Sequence, residues 1–141
     1  MSILYKTQAT AVGGRNGSVR TDDGLLDLQL SLPAALGGKG EATNPEQLFA
    51  AGYAACFGNA IIHTTRNKAI KIEDNDVDVT ASVHLQANDK GGFDLGVALD
   101  VSLTGVDATQ AEEIVALAHQ VCPYSNALRG NVDVQLSIQT R

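Results

Sequence analysis

Tryptophan is absent from this chain, and its aromatic content is otherwise limited to three tyrosines and three phenylalanines. So sparse a set leaves little to stack on nucleic-acid bases. Positive charge is also short: 10 Lys and Arg stand against 16 Asp and Glu, a formal net charge of −6. That balance offers no electrostatic footprint for nucleic acid. The opening residues, MSILYKTQAT, lack the basic start, long apolar run and cleavage signal of a secretory leader. The expectation is therefore a cytoplasmic protein. Cysteine occurs only twice, and in a reducing compartment such a pair is not a permanent staple; if it closes, it closes transiently and chemically. No repeat, low-complexity tract or long linker interrupts the sequence. Its 141 residues, 44% apolar and 18% charged, suit a single globular domain over 1–141.

What the chain does have is a long stretch without charge. Residues 47–65 contain no Asp, Glu, Lys or Arg, and Cys56 sits in their middle, in AAGYAACFGNA. The length is marginal for a membrane span. The stretch also carries Gln47, Gly52, Gly58, Asn59, His63 and two threonines, and no second such run exists. A buried central helix fits it better.

The flanking pattern is alternating. Residues 2–12 read as a strand, GGRNG (13–17) as a hairpin turn, and 17–21 as a returning strand. TDDG (21–24) turns again. LLDLQLSL (25–32) then places Leu26, Leu28, Leu30 and Leu32 on one face of a strand. Residues 33–42 form a loop. Asn44 as N-cap, Pro45 in the first helical position and Gln47 three past the cap start a helix reaching about Asn67. Strands follow over 77–87 and 93–103 across the hairpin NDKGG. A second helix is capped by Asp107 with Gln110 or by Thr109 with Glu112. Its apolar stripe is Ala111, Ile114, Val115, Ala118, Val121 and Cys122, and Pro123 ends it. Residues 132–140 alternate as a last strand. The sum is an α+β fold with mostly antiparallel sheet. A helix without a charged face needs cover on nearly every side, which predicts help from a second subunit.

Each chemically interesting residue has an ordinary alternative. Cys56 and Cys122 lie on apolar faces, where a free cysteine often only fills space. For chemistry the sulfur must ionise, and burial opposes that. Cys56 lies ~16 Å along the helix from Pro45, too deep for the helix dipole to help, so a cation is required. Arg15, between glycines, could supply it; its ordinary role is a solvated hairpin tip. Glu46 ordinarily serves the N-terminal dipole of its helix. It could instead hold an arginine through a bidentate pair. Ten residues separate Glu46 from Cys56, ~15 Å on a straight helix. If the two share a site, the helix breaks or Glu46 comes from a partner subunit.

ATNPEQLFAAGYAACF (42–57) and AHQVCPYSNALRGN (118–131), preceded by GGRNG and LDLQLSLPAALGGKG, closely resemble organic hydroperoxide resistance proteins, the Ohr branch of the Ohr/OsmC family. The resemblance covers essentially the whole chain. Leu128 and the acidic segment EDNDVD (73–78) depart from it, away from the chemistry of the motifs. It implies an OsmC-like fold, an intertwined homodimer with sheets wrapping two central helices. It also implies a bacterial, cysteine-based peroxidase without metal, haem or other cofactor. Cys56 would be the peroxidatic thiol and Cys122 the resolving one, with Arg15 and Glu46 as activating residues. The implied reductant is a dithiol, dihydrolipoamide or a lipoylated protein. Leu48, Phe49, Tyr53, Phe57 and Ile61 are candidate apolar walls for an organic hydroperoxide, with Tyr124 beside Cys122; plain core packing is their alternative.

Several rival chemistries fit less well. Cys56 and His63 are ~10.5 Å apart along a helix, too far to share one zinc ion. His119 and Cys122 have chelating spacing but no further ligands nearby in sequence. Asp74, Asp76 and Asp78 alternate like a calcium loop, but Val79 and Leu85 replace its glycine and glutamate. GGKG (37–40) lacks the phosphate-loop spacing. The alternative from another class is a non-catalytic apolar-ligand-binding or redox-sensing dimer on the same scaffold.

Overall fold

Gly13 and Gly14 interrupt the first alternating segment, and the chain reverses there. In the computed structural model, which describes residues 1–66 and 68–141, both take left-handed backbone angles, φ 82° and 61°. Glycine adopts this region without a steric penalty. Gly17 is needed for a different reason: a Cβ there would lie 1.6 Å from the Val12 carbonyl oxygen.

The chain divides into two compact units, Met1–Leu48 and Phe49–Arg141. In the first, β1 (Ala9–Val12) and β2 (Ser18–Thr21) form an antiparallel hairpin closed by a 3-10 turn at Gly14–Asn16, and β3 (Asp27–Gln29) joins β2. The expected strand over 2–12 survives only in its last four residues. β2 has four residues to pair with them, and Met1, Ile3, Leu4 and Tyr5 stay exposed. The expected strand over 25–32 shortens to three residues. Of its five leucines only Leu30 is buried, bridging to Thr43. The loop after it holds a short 3-10 turn, Ala34–Leu36.

The helix α1 (Pro45–Thr65) starts as the sequence predicts. The Asn44 side-chain oxygen accepts the Gln47 N–H at 2.9 Å, satisfying an otherwise orphaned donor of the first turn. The expected end near Asn67 lies outside the described residues. Tyr53, Phe57, Ala60 and Ile61 form its buried face, while Ala51, Ala55, Asn59 and His63 form an exposed stripe at four-residue spacing. Among the described residues no helix is long and apolar enough to cross a membrane.

The second unit holds most of the core. β4 (Val77–Ala87) and β5 (Phe93–Leu103) pair antiparallel along their full lengths, with the bounds expected from alternation. β5 buries Val97, Leu99, Val101 and Leu103, every second residue. α2 (Ala108–Val121) opens on a capping box between Asp107 and Gln110, and its expected stripe is buried except for Val121. A third helix, α3 (Pro123–Leu128), follows at once and was not expected. β6 (Gln135–Thr140) then pairs with β5 in parallel, giving the order β4-β5-β6. Among the described residues the fold is α+β with two three-stranded sheets, and β5–β6 is the parallel exception among antiparallel strand pairings. Tyr53, Phe57 and Ile61 of α1 belong to one core cluster with the buried faces of β5 and α2.

Candidate active site

The hairpin turn and the first turn of α1 bring two charges together. Arg15 donates from Nη1 to Glu46 Oε2 at 2.6 Å and from Nη2 to Oε1 at 2.7 Å. This is the planar fork that a guanidinium makes with a carboxylate. The Arg15 side chain is 36% exposed and that of Glu46 17%. Arg15 is thus a paired group rather than a freely solvated tip. The guanidinium holds the Glu46 carboxyl below the usual carboxylate range, and Glu46 in turn raises Arg15. Glu46 also stands in the first turn of α1, where negative charge meets the positive end of the dipole.

The two thiols meet within the second unit. Cys122 lies between α2 and α3. Its N–H donates to the Ala118 carbonyl at 2.8 Å, and its carbonyl accepts the Asn126 N–H at 3.0 Å. Its side chain is fully buried. Both cysteines are free, and Cys122 Sγ lies 3.5 Å from Cys56 Sγ. Residues 66 apart in sequence are therefore in sulfur–sulfur contact. Burial pushes the Cys56 thiol up; a backbone hydrogen bond from Tyr124 opposes this, and the Cys122 thiol adds to the rise. Among the described residues no cation is part of these influences. The helix between Glu46 and Cys56 is unbroken, so one of the two routes to a shared site, a break in α1, does not occur.

The expected apolar residues divide by exposure. Tyr53, Phe57 and Ile61 are fully buried. Leu48 and Phe49 are half-buried, and Tyr124 is 41% exposed. Phe49 meets Tyr53 edge-on at 6.2 Å and lies 6.3 Å from Tyr124. The Tyr124 ring covers Gly52, where a Cβ would stand 3.1 Å from the phenolic oxygen. A cavity of about 260 Å³ adjoins Cys56 and is lined by Asn59, Ala60, His63, Val121 and Pro123.

Sequence reasoning passed over Ser125. It is fully buried, its Oγ 2.6 Å from the Tyr53 hydroxyl and 2.9 Å from His119 Nδ1. The available signal was a small polar residue one helical turn past Cys122, matched by His119 one turn before it. His84 is exposed and pairs with Gln86.

Two small sheets, a long helix carrying one thiol and a helix junction carrying the other define an α+β dithiol protein. Residues 38–137 match the OsmC-like protein family. The organic hydroperoxide resistance protein OhrB of Bacillus subtilis is 46% identical over 136 residues, which span 96% of this chain and 98% of that protein. The crystal structure of an organic hydroperoxide resistance protein from Legionella pneumophila superposes with a TM-score of 0.94 at 58% identity, covering 98% of this chain and 99% of that one. One from Elizabethkingia anophelis gives 0.94 at 44% identity, with both chains covered completely. The chain belongs to the OsmC-like family and, within it, to the organic hydroperoxide resistance proteins.

Proposed function

We propose that the protein is a thiol peroxidase that reduces organic hydroperoxides, fatty-acid or alkyl, to alcohols. The observation that carries this is the contact between a half-buried thiol, Cys56, and a buried one, Cys122, at 3.5 Å. Reacting atoms about 3–3.5 Å apart are in near-attack range. The Cys56 thiolate attacks the distal oxygen of ROOH. The O–O bond breaks, the departing alkoxide takes a proton to become ROH, and Cys56 becomes a sulfenic acid. The Cys122 sulfur then attacks Cys56, hydroxide leaves with the Cys122 proton as water, and a disulfide closes. A dithiol reopens it by exchange and is itself oxidised to the cyclic disulfide. Dihydrolipoamide, free or on a lipoylated protein, is the proposed reductant.

Ionising Cys56 against the effect of its burial requires a cation. We assign this role to Arg15, oriented by Glu46. With α1 unbroken, ten residues set Glu46 and Cys56 ~15 Å apart along its axis. The ion pair is therefore proposed to come from a second copy in a homodimer. Such a dimer also covers the exposed stripe Ala51, Ala55, Asn59 and His63. The two compact units are read as parts of one domain over 1–141. Leu48, Phe49 and Tyr124 keep exposed surface and serve as apolar wall; Tyr53, Phe57 and Ile61 back them as core.

The test is peroxide consumption by reduced protein with dihydrolipoamide, comparing cumene hydroperoxide with hydrogen peroxide. Turnover should occur, faster with the organic substrate. Intact thiols with no turnover on either peroxide would replace this reading with a non-catalytic apolar-ligand-binding or redox-sensing dimer.

A further inference from the structure

Cys122 is the only residue between α2 and α3, so its sulfur moves with the angle between the two helices. That junction is tied from both sides. Three residues before Cys122, His119 places Nδ1 2.9 Å from Ser125 Oγ, and Ser125 lies three residues after it. The Ser125 Oγ also lies 2.6 Å from the hydroxyl of Tyr53, which stands three residues before Cys56 on α1. Arg129 closes the outer side, donating to the His119 carbonyl and, at 2.6 Å, to Asn126 Oδ1. Each member of the Tyr53–Ser125–His119 chain is therefore about one helical turn from one of the two thiols.

The protons can be assigned consistently. Burial, aided by the nearby Arg129, lowers His119, which favours a neutral ring. Burial raises Tyr53, which keeps its hydroxyl protonated. Tyr53 then donates to Ser125, and Ser125 donates to His119 Nδ1. All three groups are satisfied in one direction, with no buried polar atom left over.

We propose that Ser125 is a positioning residue for disulfide closure: bonded to Tyr53 and His119, it fixes the Cys122 junction against α1 and holds the two sulfurs at attack distance. This rests on the reading of Cys56 and Cys122 as peroxidatic and resolving thiols. A disulfide bond is about 2.05 Å long, so closure draws the sulfurs together from 3.5 Å. Cys122 is fully buried and cannot swing through solvent to find its target. Without the Ser125 bonds the junction samples a wider range of angles, and fewer of them are productive.

The test uses full-length reduced Tyr53→Phe and Ser125→Ala. Each is given one equivalent of cumene hydroperoxide, and disulfide closure is timed from the sulfenic acid onward by quenched intact mass. Excess peroxide is then titrated to find where half of Cys56 becomes sulfinic acid. Closure should slow by about tenfold or more, the scale on which small misplacements act. Half-overoxidation should move to correspondingly lower peroxide. Tyr53→Phe keeps the ring in place, so it supplies the answer should Ser125→Ala fail to fold. Closure at the wild-type rate overturns the proposal, as does a lowered Tm with an unchanged sulfinic fraction, which makes the network merely structural. Failure of the wild-type protein itself to pass from sulfenic acid to disulfide is a separate result and removes the underlying two-thiol reading.

Discussion

Replacing Arg15 and Glu46 by alanine, singly and together, should yield a coupling energy of about 1–2 kcal/mol at pH 7. Two charge-assisted hydrogen bonds of 2.6 and 2.7 Å join the pair, and a buried bond of this kind contributes about 1.5–3 kcal/mol. Water reaches this one, since 36% of the Arg15 side chain is exposed. Fully exposed pairs contribute about 1 kcal/mol or less, so the expected value falls between the two. The benefit Glu46 draws from the helix dipole is present with or without Arg15 and cancels in the cycle. The pH dependence follows from the lowered carboxyl of Glu46. A depressed acid stabilises the fold above its ordinary titration range and loses that contribution as pH falls through the lowered value. Coupling should stay level from pH 7 to about pH 5 and shrink below about pH 4. Urea unfolding of the four proteins at one fixed concentration measures it. Coupling near zero at pH 7, or as large at pH 3 as at pH 7, would refute the reasoning.

Two further outcomes are expected. Arg15→Ala should move the pH midpoint of Cys56 alkylation upward by about one pH unit or more and slow the first oxidation; an unchanged alkylation profile, with only the dithiol step slowed, would make Arg15 a docking residue. Cys122→Ser should still consume one equivalent of peroxide, after which excess carries Cys56 to sulfinic and sulfonic acid, visible as added oxygens in the intact mass. A variant that consumes no first equivalent would contradict the assignment of Cys56.

The elements that the sequence announced share a local cause. β4 and β5 alternate for eleven residues each around a glycine turn, and both observed spans match. α1 begins at Asn44 and Pro45, and α2 at Asp107, because caps are written into a few adjacent residues. What stayed hidden depends on partners or on ambiguous residues. Pro123 reads as the end of one helix, yet proline also suits the first position of another, and six residues show no periodicity. Alternation in β6 does not encode strand direction, so its parallel pairing could not be read. Residues 2–8 look like strand, but a ladder needs a partner and β2 ends at Thr21. In the site, Arg15 and Glu46 were legible as candidate partners. The Ser125 link to Tyr53 joins residues 72 apart and leaves no local pattern.

The parallel alignment of β5 and β6 bears on the proposed thiol cycle. Residues 104–134 leave one strand and return to its neighbour, so both feet of this arch are anchored in the same hydrogen-bonded ladder. Cys122 rides on the arch. In the proposed peroxidase cycle, each passage between open and closed sulfur states would flex the crown while the feet stay put, with no strand to dismantle.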